Sequence, residues 1–208
     1  MVVDVETPHG LARAHLHRAD EPIGALVLGH GAGGGVAARD LVAVADSAVV
    51  AEVSVALVEQ PYRVAGRRAP APARQLDAAW ISVVERLRTK ELRTLPLVVG
   101  GRSLGARVAC RTAQATSAVG VLCLAFPLRP PRRAGAEPAP SRLPELEAVT
   151  VPTLVVQGAN DRFGMPPAAP LRTVVHVPGD HALKADVDAV ATATSEWLVR
   201  VLGSTPSR

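Results

Sequence analysis

The sequence predicts an α/β fold: a mostly parallel sheet with helices on both faces and an N-terminal antiparallel hairpin. Short runs rich in valine and leucine recur along the chain, and each is apolar on both faces, as buried parallel strands are. Helical patterns lie between these runs, which is the alternation that gives a parallel sheet with right-handed crossovers. A length of 208 residues suits one domain, which we expect to span residues 1–208.

The first element is a predicted hairpin whose arms are residues 1–5 and 11–17, joined by a Pro-His-Gly turn. The second arm alternates small apolar side chains with Arg13, His15 and His17. Alternation of this kind is typical of a strand that has one face on the core and one face in water.

The buried strands follow in order along the chain. We predict them at 25–28, 53–58, 97–99, 119–125, 153–156 and 173–177.

Helices are predicted in the gaps between the strands, from the spacing of their apolar residues. They cover 37–51, the pattern Leu76-Trp80-Val83-Leu87, 104–115, 143–148, and the pattern from Leu183 through Val187, Val190 and Leu198 to Val201, with Gly203 as its stop. The proline-rich stretch 127–144 is interpreted as a loop, because the strand and helix alternation resumes after it.

Composition argues against several functions. The net charge of +4 and the pI of 9.8 suggest nucleic acid, but only five residues are aromatic and proteins that bind single strands stack bases on aromatic rings. Cys110 and Cys123 lie in apolar runs and predict reduced core packing, with no metal or cofactor. Neither a signal peptide nor an apolar run of about 20 residues is apparent, so we expect a cytoplasmic protein without a membrane segment.

One of two glycine-rich turns, Gly101-Arg102-Ser103-Leu104-Gly105, has the pattern G-x-S-x-G between a predicted strand and a predicted helix. In that context the serine sits on a sharp, strained turn with its hydroxyl exposed, and the glycines let neighbouring backbone pass. The pattern predicts that Ser103 is a nucleophile. A tight turn with an incidental serine is the structural alternative.

A nucleophilic serine needs a histidine base held by an acid, and in this architecture the partners follow in the order serine, acid, histidine. Asp161 and His181 come after the last two predicted strands, at the same sheet edge as Ser103. Asp180 is a rival acid, but its neighbour in sequence is the histidine itself, so its side chain would have to fold back.

The other glycine-rich turn runs from Gly29 to Gly35 and contains G-x-G-x-x-G. It is a candidate for dinucleotide binding, with Glu59 at the end of the next strand as the ribose-binding acid. The same turn also suits an oxyanion hole, in which the N–H groups of Ala32 and Leu104 stabilise an acyl-transfer intermediate and His30 braces the loop.

The segments LGHGAGGG, EQPYRVAGRRAP, GGRSLGAR, FPLRPP, VQGANDRFG and GDHALK carry a resemblance to a known family. The chain resembles the α/β-hydrolase superfamily over nearly its whole length, and most closely the small capless serine hydrolases grouped with testis-expressed protein 30, near the dienelactone-hydrolase-like group. The resemblance implies a Ser-His-Asp hydrolase with Ser103, Asp161 and His181 at the matching positions. Dienelactone hydrolases proper use cysteine where this chain has Ser103.

Eight arginines fall in turns at the predicted site edge: Arg63, Arg67, Arg68, Arg102, Arg129, Arg132, Arg133 and Arg162. We interpret Arg63, Arg102 and Arg129, together with Tyr62 and Phe126, as substrate-binding residues. A guanidinium group binds a carboxylate or phosphate through two parallel N–H donors, so a site entrance lined by these arginines favours an anionic substrate. The alternative is that several of these arginines are solvated surface charges or pair with Glu59 and Glu137.

The sequence therefore predicts a capless serine hydrolase that cleaves a small-molecule carboxylic ester or thioester, with no nucleic-acid or membrane partner. Two other functions stay open. One is a non-catalytic binding or scaffold protein on the same fold, and the other is a dinucleotide-binding oxidoreductase.

Overall fold

A computed structural model describes residues 1–130, 137 and 139–203. Its eight strands form one sheet and are β1 (Val2–Thr7), β2 (Gly10–His17), β3 (Gly24–Gly29), β4 (Val53–Glu59), β5 (Leu97–Arg102), β6 (Gly120–Leu124), β7 (Thr153–Gly158) and β8 (Arg172–Val177). The helices are α1 (Arg39–Val50), α2 (Pro61–Val64), α3 (Ala73–Thr89), α4 (Leu104–Thr112), α5 (Leu143–Glu147) and α6 (Val187–Gly203).

The sheet confirms the predicted fold class. Its strand order is β1-β2-β4-β3-β5-β6-β7-β8, and the strands from β3 to β8 run parallel while β1 and β2 pair antiparallel. From β3 the chain goes to β4 on one side and later to β5 on the other. The crevice between the carboxyl ends of β3 and β5 is therefore the switch point at which such sheets bind ligands.

Helices cover both faces of the sheet, and each face has its own hydrophobic cluster. On one face, α1 and α6 bury Leu41 and Trp197 against alternate strand residues such as Leu26. On the other face, α3 and α4 bury Trp80 and Cys110 against the residues in between. Because both faces are covered, β3 is buried along its whole length and β4 is buried up to Glu59, which explains their continuous apolar sequence.

The predicted hairpin and central strands are present with small shifts at their ends. In β2, Ala12 and Ala14 are buried as the alternation predicts. β8 differs from the prediction, since Thr173 and His176 are exposed. The reason is that β8 is the edge strand of the sheet and has a neighbour on one side only.

The last helix begins at Val187, so the prediction that it begins near Leu183 is wrong. Asp186 supplies the physical reason: its Oδ1 accepts a hydrogen bond of 2.9 Å from the Ala189 N–H, which caps the helix. Leu183 lies in the preceding turn with φ of 52°, and it is fully buried against the same cluster as α6. Leu183 therefore fits the helical spacing of apolar residues in the sequence although it lies in the loop that packs under α6.

The cysteines behave as predicted for packing, because both are free and buried, with 3.5 Å between their sulfur atoms. The described part of the chain has no helix long and apolar enough to cross a membrane. It also contains no group of three or more histidine, cysteine, aspartate or glutamate side chains that could hold a metal ion. Arg132 and Arg133 lie outside the described residues.

Candidate active site

The turn between β5 and α4 holds Ser103 in a strained conformation. The residue has φ of 51° and ψ of −103°, a region that residues with a Cβ rarely adopt. The Ser103 N–H donates a 2.8 Å hydrogen bond to the Leu124 carbonyl of the neighbouring strand. The adjacent strand therefore helps to hold a serine that projects from the carboxyl edge of the sheet.

The two glycines of this turn are required by packing. A Cβ on Gly101 would lie 2.5 Å from the Gly29 carbonyl oxygen, and a Cβ on Gly105 would overlap the same carbonyl group. Gly29 and Gly101 are register partners in the sheet. The turn that carries Ser103 is therefore pressed directly against the end of β3, as the motif predicts.

Ser103, His181 and Asp161 form a continuous chain of hydrogen bonds. The distance from Ser103 Oγ to His181 Nε2 is 2.9 Å, and that from His181 Nδ1 to Asp161 Oδ2 is 2.8 Å. Because an ionised carboxylate only accepts, Nδ1–H donates to Asp161, and Nε2 is left to accept the hydroxyl proton of Ser103. This tautomer is the one that a general base acting on serine requires.

The loops that carry Asp161 and His181 are packed against each other. The Asn160 N–H donates a 2.9 Å hydrogen bond to the Gly179 carbonyl, and a Cβ on Gly158 would overlap the Asp180 carbonyl. The Asp180 carboxylate accepts from the Ala182 N–H instead of approaching the imidazole. The geometry therefore favours Asp161 over Asp180 as the partner of His181.

Asp161 is buried and receives hydrogen bonds at both oxygens. The Phe163 N–H donates to Oδ1 at 2.9 Å, and Gln157 Nε2 donates to Oδ2 at 2.8 Å. The Phe163 ring also packs on the His181 imidazole, with 4.2 Å between ring centroids. Sequence reasoning missed Gln157, which directly follows the predicted strand 153–156 and lies inside β7 in the structure. A glutamine at the end of an apolar run was the available signal.

The turn after β3 presents a second set of groups beside Ser103. A Cβ built on Gly31 would lie 3.8 Å from the Ser103 Cβ, so the two turns meet there. Among the described residues, neither the Ala32 N–H nor the Leu104 N–H donates a hydrogen bond. Two unpaired N–H donors in turns that converge on a serine are the arrangement that an oxyanion needs.

His30 and Tyr62 fix the orientation of this turn. His30 Nδ1 lies 2.9 Å from the Gly31 carbonyl, which can only accept, so Nδ1 carries the proton. The Gly31 carbonyl is thereby held, and the Ala32 N–H of the same planar trans peptide points in the opposite direction. Tyr62 donates a 3.0 Å hydrogen bond to the Ala32 carbonyl. Burial lowers the pKa of His30, which favours the neutral ring that this bracing role needs.

Three of the predicted substrate-binding residues are buried or engaged in contacts with other protein groups. Tyr62 and Phe126 are buried, at 1% and 0% exposure, because they pack in the core beneath the turns instead of lining the site entrance. Arg102 is occupied by other protein groups. Arg63 is half-buried and Arg129 is exposed, so their role as substrate ligands stays a prediction.

Arg102 joins three parts of the site. Its Nε lies 2.8 Å from Asp40 Oδ2 at the start of α1, and its Nη2 donates a 2.9 Å hydrogen bond to the His181 carbonyl. Burial raises the pKa of Asp40, and the Arg102 charge opposes that rise. A guanidinium committed to a buried carboxylate and a main-chain carbonyl is unsuited to bind substrate as well.

A cavity of about 630 Å³ lies beside this ion pair, on the α1 side of the site. Its walls include the residues next to the nucleophile and the histidine, Arg102 and Ala182. Arg39 and Lys184 also line it, and among the described residues neither side chain has a hydrogen-bond or ion-pair partner. The remaining wall is made of small residues: Gly33, Gly34, Gly35, Ala37 and Ala38.

Glu59 differs from both roles considered for it. Its Oε2 lies 3.1 Å from His15 Nε2 on β2, so its ion-pair partner among the described residues is a histidine and not one of the predicted arginines. The carboxylate is thus engaged on the strand beyond β4. This arrangement gives no support to the interpretation of the glycine-rich turn after β3 as a dinucleotide-binding site.

Comparison with known proteins identifies the family and the fold. The model of the alpha/beta hydrolase domain family matches residues 22–198. It assigns no subgroup, so the likeness to the testis-expressed protein 30 group stays a prediction. No curated protein sequence matches the chain.

Solved structures share the whole fold at low sequence identity. A lidless α/β serine hydrolase from Xanthomonas campestris is 18% identical with a TM-score of 0.76, over 99% of this chain and 96% of that one. Est1E from Butyrivibrio proteoclasticus is 14% identical with a TM-score of 0.78, over 98% and 99%. A dienelactone hydrolase from Anabaena variabilis is 17% identical with a TM-score of 0.76, over 96% of each chain.

Proposed function

The chain belongs to the α/β-hydrolase family, and on that premise we propose that it is a serine hydrolase that cleaves a carboxylic ester or thioester through an acyl-enzyme. The single observation that carries the proposal is the chain of hydrogen bonds from Ser103 through His181 to Asp161. The strained backbone at Ser103 supports it, because such strain is concentrated at functional sites.

In the first half of the reaction, Ser103 Oγ attacks the substrate carbonyl carbon while His181 Nε2 accepts the hydroxyl proton. Asp161 stabilises the imidazolium that forms and holds the ring in place. His181 then gives the proton to the departing alcohol or thiol, and the acyl group stays on Ser103. In the second half, His181 takes a proton from water, which attacks the acyl-enzyme; His181 then returns this proton to Ser103 Oγ as the bond to the acyl group breaks and the acid leaves.

The oxyanion of each tetrahedral intermediate is stabilised by the N–H groups of Ala32 and Leu104. Leu104 is the first residue of α4, where the helix dipole adds a favourable partial positive charge. The loss of one oxyanion donor typically costs about 3 kcal/mol of transition-state stabilisation. The proposed chemistry therefore depends on two turns: the turn after β3, which His30 holds in place, and the turn that carries Ser103.

We further propose that the substrate carries a carboxylate or phosphate that enters the cavity on the α1 side. Arg39 and Lys184 line this cavity and have no ion-pair partner in the described part of the chain, while the nearby Asp40 is paired with Arg102. The cavity borders the residues that follow His181 and precede Ser103. An anionic group bound there lies at one end of a substrate whose ester bond is at Ser103.

The test is covalent labelling by a fluorophosphonate probe together with hydrolysis of a panel of short esters and thioesters. The wild type is expected to label at Ser103, and Ser103→Ala is expected to lose labelling and at least about 1,000-fold in kcat, with its fold retained. Ser195→Ala is the matched control, since Ser195 lies half-buried on α6, far along the chain from the Ser103 turn, and among the described residues its hydroxyl bonds only the Thr192 carbonyl.

Labelling that survives Ser103→Ala contradicts the assignment of the nucleophile. A folded wild type that neither labels nor hydrolyses any panel member instead favours the non-catalytic binding protein. Thermal stabilisation by NAD(P)H would favour the dinucleotide alternative.

A further inference from the structure

Gln157 is a polar side chain at a position where the fold calls for an apolar one. It lies near the carboxyl end of β7, it is 0% exposed, and its strand is buried from end to end. Its Nε2 is within hydrogen-bond distance of three acceptors: Asp161 Oδ2 at 2.8 Å, the Phe126 carbonyl at 3.0 Å and the Gly164 carbonyl at 3.0 Å.

These acceptors fix the orientation of the amide. A carboxylate and two carbonyl oxygens can only accept, so the group that faces them must be the NH2 end. The reverse orientation would place Oε1 against three other oxygens. Gln157 therefore acts as a donor to Asp161, at the same oxygen that accepts the His181 Nδ1–H.

The other end of the amide argues that packing alone does not explain this residue. Oε1 is buried and accepts no hydrogen bond from the described residues. A buried, unsatisfied carbonyl oxygen is unfavourable for stability. The favourable feature that offsets it is the bond from Nε2 to a charged carboxylate, which is stronger than a bond between neutral groups.

We propose that Gln157 is a positioning residue for the reaction: its amide holds Asp161 Oδ2 in line with the His181 imidazole and thereby keeps that imidazole aimed at Ser103. The inference rests on the proposed hydrolase function for its consequence in turnover. Gln157 has no contact with the nucleophile and acts only through Asp161.

The direction of the effect follows from the hydrogen bond. Without the Gln157 donor, Asp161 Oδ2 carries more negative charge toward the imidazole, so the protonated ring is favoured and His181 titrates at a higher pH. The carboxylate also loses one of its anchors, which loosens the aim of the ring. Other charged groups near His181, namely Arg102, Arg162 and Asp180, are left in place by substitution at position 157.

The experiment compares Gln157→Leu with Gln60→Leu in the full chain. Gln60 is a matched control because it is also buried and, among the residues that the structure describes, its Nε2 bonds a single main-chain carbonyl and its Oε1 accepts no hydrogen bond. Two readouts are used: an NMR titration of the His181 ring, assigned by its loss in His181→Gln, and the pH profile of fluorophosphonate labelling.

For Gln157→Leu we expect the His181 titration midpoint and the acid limb of the labelling profile to move to higher pH. We also expect kcat to fall by roughly 10- to 100-fold with KM unchanged. The reason is that the substitution disturbs the orientation of the His181 base and removes no contact with the substrate. Gln60→Leu is expected to lower stability to a similar degree and to leave both pH curves where they are.

Gln157→Glu keeps the shape of the side chain and covers the case in which the leucine variant does not fold. Protonated, the new carboxyl group donates to Asp161, and ionised, it repels it. We expect its labelling rate, relative to wild type at the same pH, to fall as the pH rises.

The outcomes separate this inference from the proposed function. A His181 titration that is unchanged in Gln157→Leu, or a Gln157→Glu labelling profile that matches wild type, overturns the role of Gln157. A wild type that never labels, with a shifted His181 titration in Gln157→Leu, overturns the hydrolase proposal and leaves the hydrogen-bond network as inferred.

Discussion

The two glycine-rich turns leave neighbouring strands at paired residues, Gly29 and Gly101, yet their glycines meet different surroundings. In the turn that carries Ser103, a Cβ on Gly101 or Gly105 would collide with main-chain atoms at the end of β3. In the turn after β3, a Cβ on Gly33 or Gly35 would have no atom within 4 Å. The turn that carries Ser103 needs glycine for close packing, whereas the part of the other turn around Gly33 and Gly35 does not.

This difference separates a rigid part of the site from an open one. Backbone packed against backbone holds Ser103 in its strained conformation, since there is no side chain that could move aside. The open half of the first turn instead forms the wall of the cavity that Arg39 and Lys184 line. The space beside these glycines is not filled by other protein atoms, so a ligand can approach the backbone there.

The largest expected effect is that of Gly105→Ala. We predict a loss of about 4 kcal/mol in the free energy of unfolding, at the upper end for overpacking, because the obstructing atoms belong to the backbone of β3. Chemical denaturation of the variant and the wild type measures it.

Gly35→Ala is the matched control for that variant. Its φ lies outside the left-handed region and its Cβ meets nothing, so we predict a gain of about 0.4–1 kcal/mol from the reduced entropy of the unfolded chain. Equal losses of stability in both variants would mean that the two turns are packed alike.

A smaller effect is expected from Arg102→Leu, which cuts the link between the rigid turn and the start of α1. Asp40, which is 2% exposed, loses its counter-ion, and we predict a loss of about 2–3 kcal/mol at pH 7. Thermal or chemical unfolding over a pH series tests this prediction.

The sign of the pH dependence follows from Asp40. Its pKa in the folded state is raised by burial above the ordinary value of 3.8, and loss of the Arg102 charge raises it further. The folded variant thus binds the proton more tightly than the unfolded chain, so its deficit relative to wild type is small near pH 4 and grows as the pH rises. The double variant Arg102→Leu with Asp40→Asn should lose this dependence, and a deficit that does not vary with pH contradicts the explanation.

The smallest effect is expected for substitutions in the cavity beside the open turn after β3. Replacing both Arg39 and Lys184 by alanine is predicted to lower kcat/KM for a carboxylate-bearing ester by about 5- to 10-fold, which corresponds to roughly 1 kcal/mol for exposed charge pairs. A neutral ester of equal acyl length should be unaffected, because it makes no charge contact with the cavity.

Arg93→Ala is the control for a general change of charge, since Arg93 is exposed and precedes β5 at the opposite edge of the sheet. If neither added salt nor the double substitution changes kcat/KM for the anionic ester, the cavity does not select substrates by charge. The open glycine turn would then need another explanation.

Local patterns were sufficient to predict most of the fold because each element depends on its own residues. The two-sided apolar runs of the central strands and the alternation in β2 follow directly from burial on two faces or on one. Errors arose where another element decided the outcome: β8 is exposed because it is an edge, and Leu183 continues a helical spacing only because its loop packs beneath α6.

The sequence by itself determined which residues could perform the chemistry, since the G-x-S-x-G turn and the order of Asp161 and His181 are local features of strand ends. Which side chains are free to meet a ligand was decided by the tertiary structure alone. From the sequence, Arg102 was predicted as a substrate ligand and Arg39 was not singled out. In the structure a buried carboxylate from another element pairs with Arg102, while Arg39 lines the cavity with no ion-pair partner among the described residues. The role of Gln157 likewise became clear only when folding placed a carboxylate and two carbonyls around its amide, because the conformation of the loop after β7 and the position of the Phe126 carbonyl leave no pattern in the sequence.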